Sequence, residues 1–224
     1  MADVCAAHHP NTVSPRSNRS RNKRQSKSNR VGGINSPGQI RIIGGQWRGR
    51  RIEVVDVEGL RPSGDRIRET LFNWLRGELG GSRCLDLFAG SGVLGFEALS
   101  RLAASCTFVE SDARAFGALQ TASASLGVET GERATLVQGR AAEFLAGNRQ
   151  CFDIVFIDPP FEQDLQWDTL ETLANGHLAV NALVYVESPV GQPVSGHYPP
   201  GLQLHREKRF GDVVARLLAY PVTS

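Results

Sequence analysis

The chain has 224 residues, with 25 Lys/Arg against 23 Asp/Glu, a net charge of +2 and a hydrophobic share of 41%. That length suits one ordinary domain with appendages. No stretch approaches the ~20 apolar residues of a membrane span, and no apolar run follows the charged N-terminus, so neither a membrane span nor a secretory leader is expected.

The charge is unevenly spread. Residues 1–38 hold seven basic residues (Arg16, Arg19, Arg21, Lys23, Arg24, Lys27, Arg30) and one acid, Asp3, which leaves the rest of the chain at −4. This segment is rich in Ser, Asn and Pro and poor in apolar residues, so burial cannot offset its ordering entropy. A disordered basic tail is expected over 1–38, either inert or attracting a polyanion.

From Gln39 the pattern changes. Ile40, Ile42 and Ile43 lead into Gly44-Gly45, and Ile52, Val54 and Val55 follow Arg48-Gly49-Arg50-Arg51. Short strands joined by glycine turns are predicted. Ser63 reads as a helix N-cap, and Ile67, Leu71, Trp74 and Leu75 recur at helical spacing until Gly80-Gly81. Residues 39–80 are therefore expected to form a hairpin-and-helix appendage, and 81–224 the main domain.

From Arg83 strands and helices alternate. Strands are predicted near 83–88, 105–110, 133–138, 152–157 and 182–187, and helices near 93–102, 112–126, 140–146 and 164–175. Such βαβ units imply a parallel sheet covered on both faces. Two runs at 202–209 and 213–220, separated by Gly211-Asp212, predict an antiparallel hairpin on the sheet edge.

Two motifs carry chemistry. In the first, the strand Cys84-Leu85-Asp86-Leu87 enters the loop Phe88-Ala89-Gly90-Ser91-Gly92, and Gly95 completes a G-x-G-x-x-G pattern at the start of a helix. Such glycines let the backbone turn tightly beside a ligand. Glu110, with Ser111 after it, ends the next strand 20 residues after Gly90, where an acid can accept from both hydroxyls of a ribose. A nicotinamide cofactor would use the same loop. Asp86 discriminates, because a carboxylate there is awkward beside a pyrophosphate but suits the cationic amino group of S-adenosylmethionine.

In the second, the apolar strand 152–157 ends in Asp158-Pro159-Pro160-Phe161. An exocyclic base amine is a poor nucleophile, because its lone pair is delocalised into the ring. The Asp158 side chain and the Pro159 carbonyl can accept its two N–H groups and aim the lone pair. Prolines preset the turn. Phe161 offers a face for an extruded base, worth roughly 1–3 kcal/mol.

With these motifs, the chain resembles the RsmD family, the 16S rRNA guanine-N2 methyltransferases. The similar segments are RIIGGQWRGRRI (41–52), GLRPSGDRIRETLFNWL (59–75), CLDLFAGSGVLGFEALSR (84–101), FVESD (108–112), FDIVFIDPPF (152–161), LVYVES (183–188) and REKRFGD (206–212). The glycine loop is common to class I methyltransferases, and 59–75 is far more particular. The resemblance implies an α/β class I, Rossmann-like fold with a seven-stranded, mostly parallel sheet and an antiparallel edge hairpin. It implies a guanine in 16S rRNA of a partly or fully assembled small subunit as substrate. By position, Asp86, Gly90, Gly92 and Glu110 would hold the cofactor, and Asp158 to Phe161 the target base. One departure is Arg140, where such enzymes often place an Asp or Asn for adenine. Arginine cannot accept from the adenine amine, which leaves the Ala141 backbone amide as the candidate.

Arg41, Arg48, Arg50, Arg51, Arg61, Arg66 and Arg68 crowd the appendage, and arginine suits phosphate contact. RNA contact is expected from them. For Arg66 and Arg68 the alternative is ordering the active site, and Arg61-Pro62-Ser63 can form a lid. The four cysteines, Cys5, Cys84, Cys106 and Cys151, lack zinc spacing, the five histidines lack ligand spacing, and no metal is expected. Reduced thiols suit a cytoplasmic protein. A DNA adenine-N6 methyltransferase and a non-catalytic RNA-binding assembly factor are the alternatives to the rRNA enzyme.

Overall fold

The computed structural model describes residues 38–54, 64–128, 130–192 and 198–221. The basic tail, apart from Gly38, and Arg61-Pro62-Ser63 lie outside the described residues.

Seven strands form the main sheet: β3 (Arg83–Asp86), β4 (Ser105–Glu110), β5 (Ala134–Gln138), β6 (Phe152–Ile157), β7 (Leu178–Pro189), β8 (Gln203–Phe210) and β9 (Val213–Tyr220). Their order is β5-β4-β3-β6-β7-β9-β8. The first five run parallel, and β9 inserts antiparallel between β7 and β8. The parallel strands are apolar on both faces, as strands covered on both sides must be. One face buries Cys84, Phe108, Phe156 and Tyr185. The other buries Leu85, Val109, Val155, Ile157 and Val186.

Helices α1 (Asp65–Trp74), α2 (Val93–Ser100), α3 (Ala113–Leu126), α4 (Ala141–Gly147) and α5 (Gln166–Ala174) cover the faces. α2 is buried at every residue, so it has no amphipathic pattern. It lies between the sheet and the small antiparallel hairpin β1 (Gly38–Arg41) and β2 (Arg51–Val54). Ile42, Trp47 and Ile52 from the hairpin, and Leu71, Phe72 and Leu75 from α1, enter the same apolar cluster as α2.

Polar contacts fasten the hairpin to α2. The Ile43 N–H donates to Glu97 Oε2 at 2.8 Å, the Trp47 N–H to Ser100 Oγ at 2.9 Å, and the Ser100 hydroxyl to the Gly44 carbonyl at 2.6 Å. Gly45 sits at φ +73°, and a Cβ there would meet the Ser100 carbonyl oxygen at 1.9 Å. A side chain would therefore lift the hairpin off the helix.

Candidate active site

The catalytic end of such a sheet is the carboxyl end of its parallel strands, where the loops open a crevice. Here the glycine loop follows β3, Glu110 ends β4, Gly139 and Arg140 follow β5, and Asp158 follows β6. A cavity of about 730 Å³ opens there. Its walls include Leu87, Phe88, Val109, Glu110, Ser111, Asp112, Arg140, Ala141, Leu145, Asp158, Pro160 and Leu165. The size falls within the range of small-molecule sites.

The loop is braced by carboxylates. Glu110 Oε2 accepts from the Gly90 N–H and Oε1 from the Asp112 N–H, both at 2.7 Å. Gly90 and Gly92 take positive φ, +52° and +75°. Asp86 ends β3. Only 2% exposed, it is absent from the cavity wall, and its Oδ2 accepts the Gly95 N–H at 3.0 Å. Through this bond Asp86 ties the end of β3 to the start of α2. Burial pushes its carboxyl up to about 7, the Gly95 N–H opposes the shift, and the Glu110 charge adds to it. Gly95 allows the same close approach, since a Cβ there would lie 2.2 Å from the Phe108 ring.

At the end of β6, Asp158 and Pro160 are on the cavity wall, and Phe161 opens a short 3-10 turn, Phe161–Gln163. Burial pushes the Tyr185 hydroxyl well up, and the charges of Glu187 and Asp158 add to this. Tyr185 accordingly donates to Glu187 Oε1 at 2.8 Å.

Of the expected cofactor and base residues, the cavity brings together Phe88, Glu110, Ser111, Arg140, Ala141, Asp158 and Pro160. Ala89, Gly90, Ser91, Gly92, Pro159 and Phe161 frame it without being on its wall. Asp112, Gln163, Asp168, Thr169 and Thr172 also form the wall and were not foreseen. The spacing of Asp168, Thr169 and Thr172 on one helix was their available signal. Asp112 carried an N-cap signal, and its Oδ1 accepts from Arg114 and Ala115.

The arginines divide. Arg68 was expected to reach RNA or to order the site, and its side chain is fully buried. It pairs with Asp65 at 2.5 Å, faces Glu97 at 3.9 Å and donates to the Arg41 carbonyl at 3.0 Å. A buried guanidinium cannot meet a phosphate, so the RNA expectation for Arg68 is withdrawn. Arg41, Arg48, Arg50, Arg51 and Arg66 are exposed. Arg50 donates to the Ser125 carbonyl near the C-terminus of α3, and Trp47 is held at the last residue of α2. Both helices start at the cavity end of the sheet and finish at the other. Arg48 and Arg50 thus lie at the far end, about 20 Å away by the rise of a six-residue strand.

Among the described residues no group of three or more His, Cys, Asp or Glu is placed to hold a metal. Cys84 and Cys106 are buried and free, and burial pushes the Cys84 thiol up to about 12.

The family model described as "Conserved hypothetical protein 95" matches residues 40–219. Ribosomal RNA small subunit methyltransferase D of Escherichia coli K12 is 50% identical over 183 residues, covering 80% of this chain and 89% of its own. The chain belongs to the RsmD family. The Haemophilus influenzae protein of that name is 44% identical over 186 residues, covering 82% and 95%. The solved Escherichia coli protein yhhF superposes with a TM-score of 0.74 at 46% identity, covering 82% of this chain and 99% of its own. The RsmD-family chain has the class I methyltransferase fold, and its cofactor is S-adenosylmethionine. The site fits that cofactor, with the Glu110 carboxylate and the Asp112 side of the cavity for polar groups and Phe88, Leu145 and Leu165 for an apolar ring.

Proposed function

We propose that this protein methylates the exocyclic N2 amine of a guanine in 16S rRNA, in a partly or fully assembled small subunit, acting in the cytoplasm. The supporting observation is the shared cavity: Asp158 and Pro160 of the DPPF segment stand on the same wall system as Glu110. The family relatives named for ribosomal RNA small subunit methylation supply the substrate class.

Bound in the cavity, S-adenosylmethionine supplies an electrophilic methyl group on a positively charged sulfur. The residues of the chain do the rest. Glu110 accepts from the ribose hydroxyls, and the Ala141 amide meets the adenine, with Arg140 beside it. The loop residues Phe88 to Gly92 and Ser111 enclose the cofactor, and Asp86 acts through the loop it braces. The guanine leaves its stack to reach the cavity. Asp158 and the Pro159 carbonyl accept the two N–H groups of its amine, Pro160 fixes the turn, and Phe161 stacks on the ring. The nitrogen that gains a methyl sheds one proton, and the carboxylate holding that N–H is placed to receive it. Arg41, Arg48, Arg50, Arg51 and Arg66 contact RNA beyond the target nucleotide.

The test is methyl transfer from labelled cofactor to small-subunit particles, free 16S rRNA and duplex DNA. Label is expected in the RNA substrates and not in DNA. Label in DNA alone, or in none of the three, contradicts the proposal.

A further inference from the structure

The sequence placed its RNA contacts in the N-terminal arginines, yet Arg48 and Arg50 lie at the end of the sheet remote from the cavity. From residue 39 onward the chain is net negative. A polyanion brought to the cavity therefore needs local positive charge at the cavity end. The strand β8 carries such charge at its cavity end.

β8 is the edge strand, and every residue from Gln203 to Arg209 is exposed. Arg206, Lys208 and Arg209 are its cations. Among the described residues no carboxylate pairs with any of the three. The strand's one acid, Glu207, is held by Arg216 at 2.7 Å. Cations commonly guard edge strands against pairing with another chain. Guarding would be served by charge anywhere along the strand. Here the permanent charge collects in 206–209, while Gln203 and Leu204 at the other end carry none.

The pairing register sets the height of these residues. Lys208 pairs with Ala215, which pairs with Glu187, the residue after Val186; Val186 is level with Ile157, the residue before Asp158. Lys208 is thus level with Asp158, three strands away, or about 14 Å at the usual strand spacing. Arg206, Lys208 and Phe210 alternate onto one face, with Leu217, Ala215 and Tyr185 beside them in the core cluster. Two contacts lean the charges toward the cavity end. The Lys208 ammonium lies 5.1 Å from the Phe210 ring centroid, and Arg209 Nε donates to the Gly211 carbonyl at 2.7 Å.

We propose that the cavity end of β8 is a phosphate-contacting rail, in which Arg206, Lys208 and Arg209 hold the RNA backbone a few nucleotides from the extruded base. This rests on the RNA-methylating reading above and adds the surface that carries the flanking strand. Contacts to phosphate position the nucleic acid without reading its sequence. They should appear in the salt dependence of affinity and not in the chemical step.

The experiment compares the full-length protein with the triple variant Arg206→Gln/Lys208→Gln/Arg209→Gln. RNA affinity is measured at several salt concentrations, together with cofactor affinity and turnover at saturating RNA. The side chains are exposed, so cofactor affinity reports whether the variant folds. The expected result is a roughly tenfold or greater loss of RNA affinity at low salt, with a log–log salt slope shallower by about 2–3 units. Cofactor affinity and saturated turnover should be unchanged. RNA binding by both proteins with equal affinity and equal slope would overturn the rail alone. Loss of saturated turnover with unchanged RNA affinity would overturn it too, by assigning these residues to the chemistry. A wild-type protein with no measurable RNA affinity would overturn both the rail and the reading beneath it.

Discussion

Asp86 and Glu110 show how position within a few ångströms changes what an acid does. Both end strands that flank the glycine loop, yet only Glu110 is on the cavity wall. Asp86 spends its carboxylate on the Gly95 N–H inside the protein. Its carboxyl sits at about 7, against 3.8 ordinarily. The folded state therefore holds a proton that the unfolded chain has lost, and stability falls as pH rises from about 4 to about 7. A shift near three units is worth roughly 4 kcal/mol. Asp86→Asn keeps an oxygen for Gly95 and removes this cost. In thermal melts without cofactor it should be more stable than wild type at pH 8, with the gap closing toward pH 4; a less stable variant at pH 8 would contradict this assignment. Glu110→Ala strips acceptors from two backbone N–H groups, each charge-assisted bond being worth roughly 1.5–3 kcal/mol. Calorimetry should show cofactor affinity at least tenfold weaker, and unchanged affinity would reject its placement at the ribose. The sequence showed both acids as candidates. It could not show that Asp86 is tied to α2, because that depends on how closely Gly95 lets α2 approach Phe108.

At the scale of elements the alternating pattern was legible to within a residue or two. β4 and β6 begin and end where apolar periodicity places them, 105–110 and 152–157. α1 and β7 are exceptions: α1 ends at Trp74, with Leu75 as its cap, rather than continuing to about Leu79, and β7 begins at Leu178 rather than near 182. Asn181 there takes φ +62°, and the β6 pairing shifts register between Phe152 and Ile154. A polar residue at a kink hides the first part of the strand. The hairpin's seat on α2 was also hidden. Glu97, Ser100 and Arg101 look like the polar side of a surface helix, but Glu97 and Ser100 are fully buried. Glu97 takes the Ile43 N–H, pairs with Arg101 at 2.8 Å and faces Arg68. Glu97→Ala leaves the Arg68 charge buried without that counter-ion, at a cost of about 3–5 kcal/mol. Chemical denaturation should show that loss, and the double variant Glu97→Ala/Arg68→Met should recover part of it. Strict additivity would mean the two charges are not coupled.

Across the whole molecule Glu110, Asp158 and Pro160 share one cavity wall, while arginines and a lysine lie at two opposite ends of the sheet and further basic residues in 1–38. Residues 1–38 carry a net charge of +6 against −4 elsewhere. This charge should draw in a polyanion, so removing the segment should weaken RNA binding most at low salt and leave saturated turnover intact, as titrations of a protein starting near Ser36 would show. Identical affinities would leave the segment without a role in RNA binding. The central claim, amine methylation of guanine at the DPPF wall, has a direct test. Small-subunit particles lacking the modification are treated with wild-type protein or with Asp158→Ala, and their 16S rRNA is digested to nucleosides for mass spectrometry. N2-methylguanosine is expected at one site with the wild type, and none with Asp158→Ala despite normal cofactor binding. Methyladenosine as the product, or undiminished methylguanosine from Asp158→Ala, would contradict it.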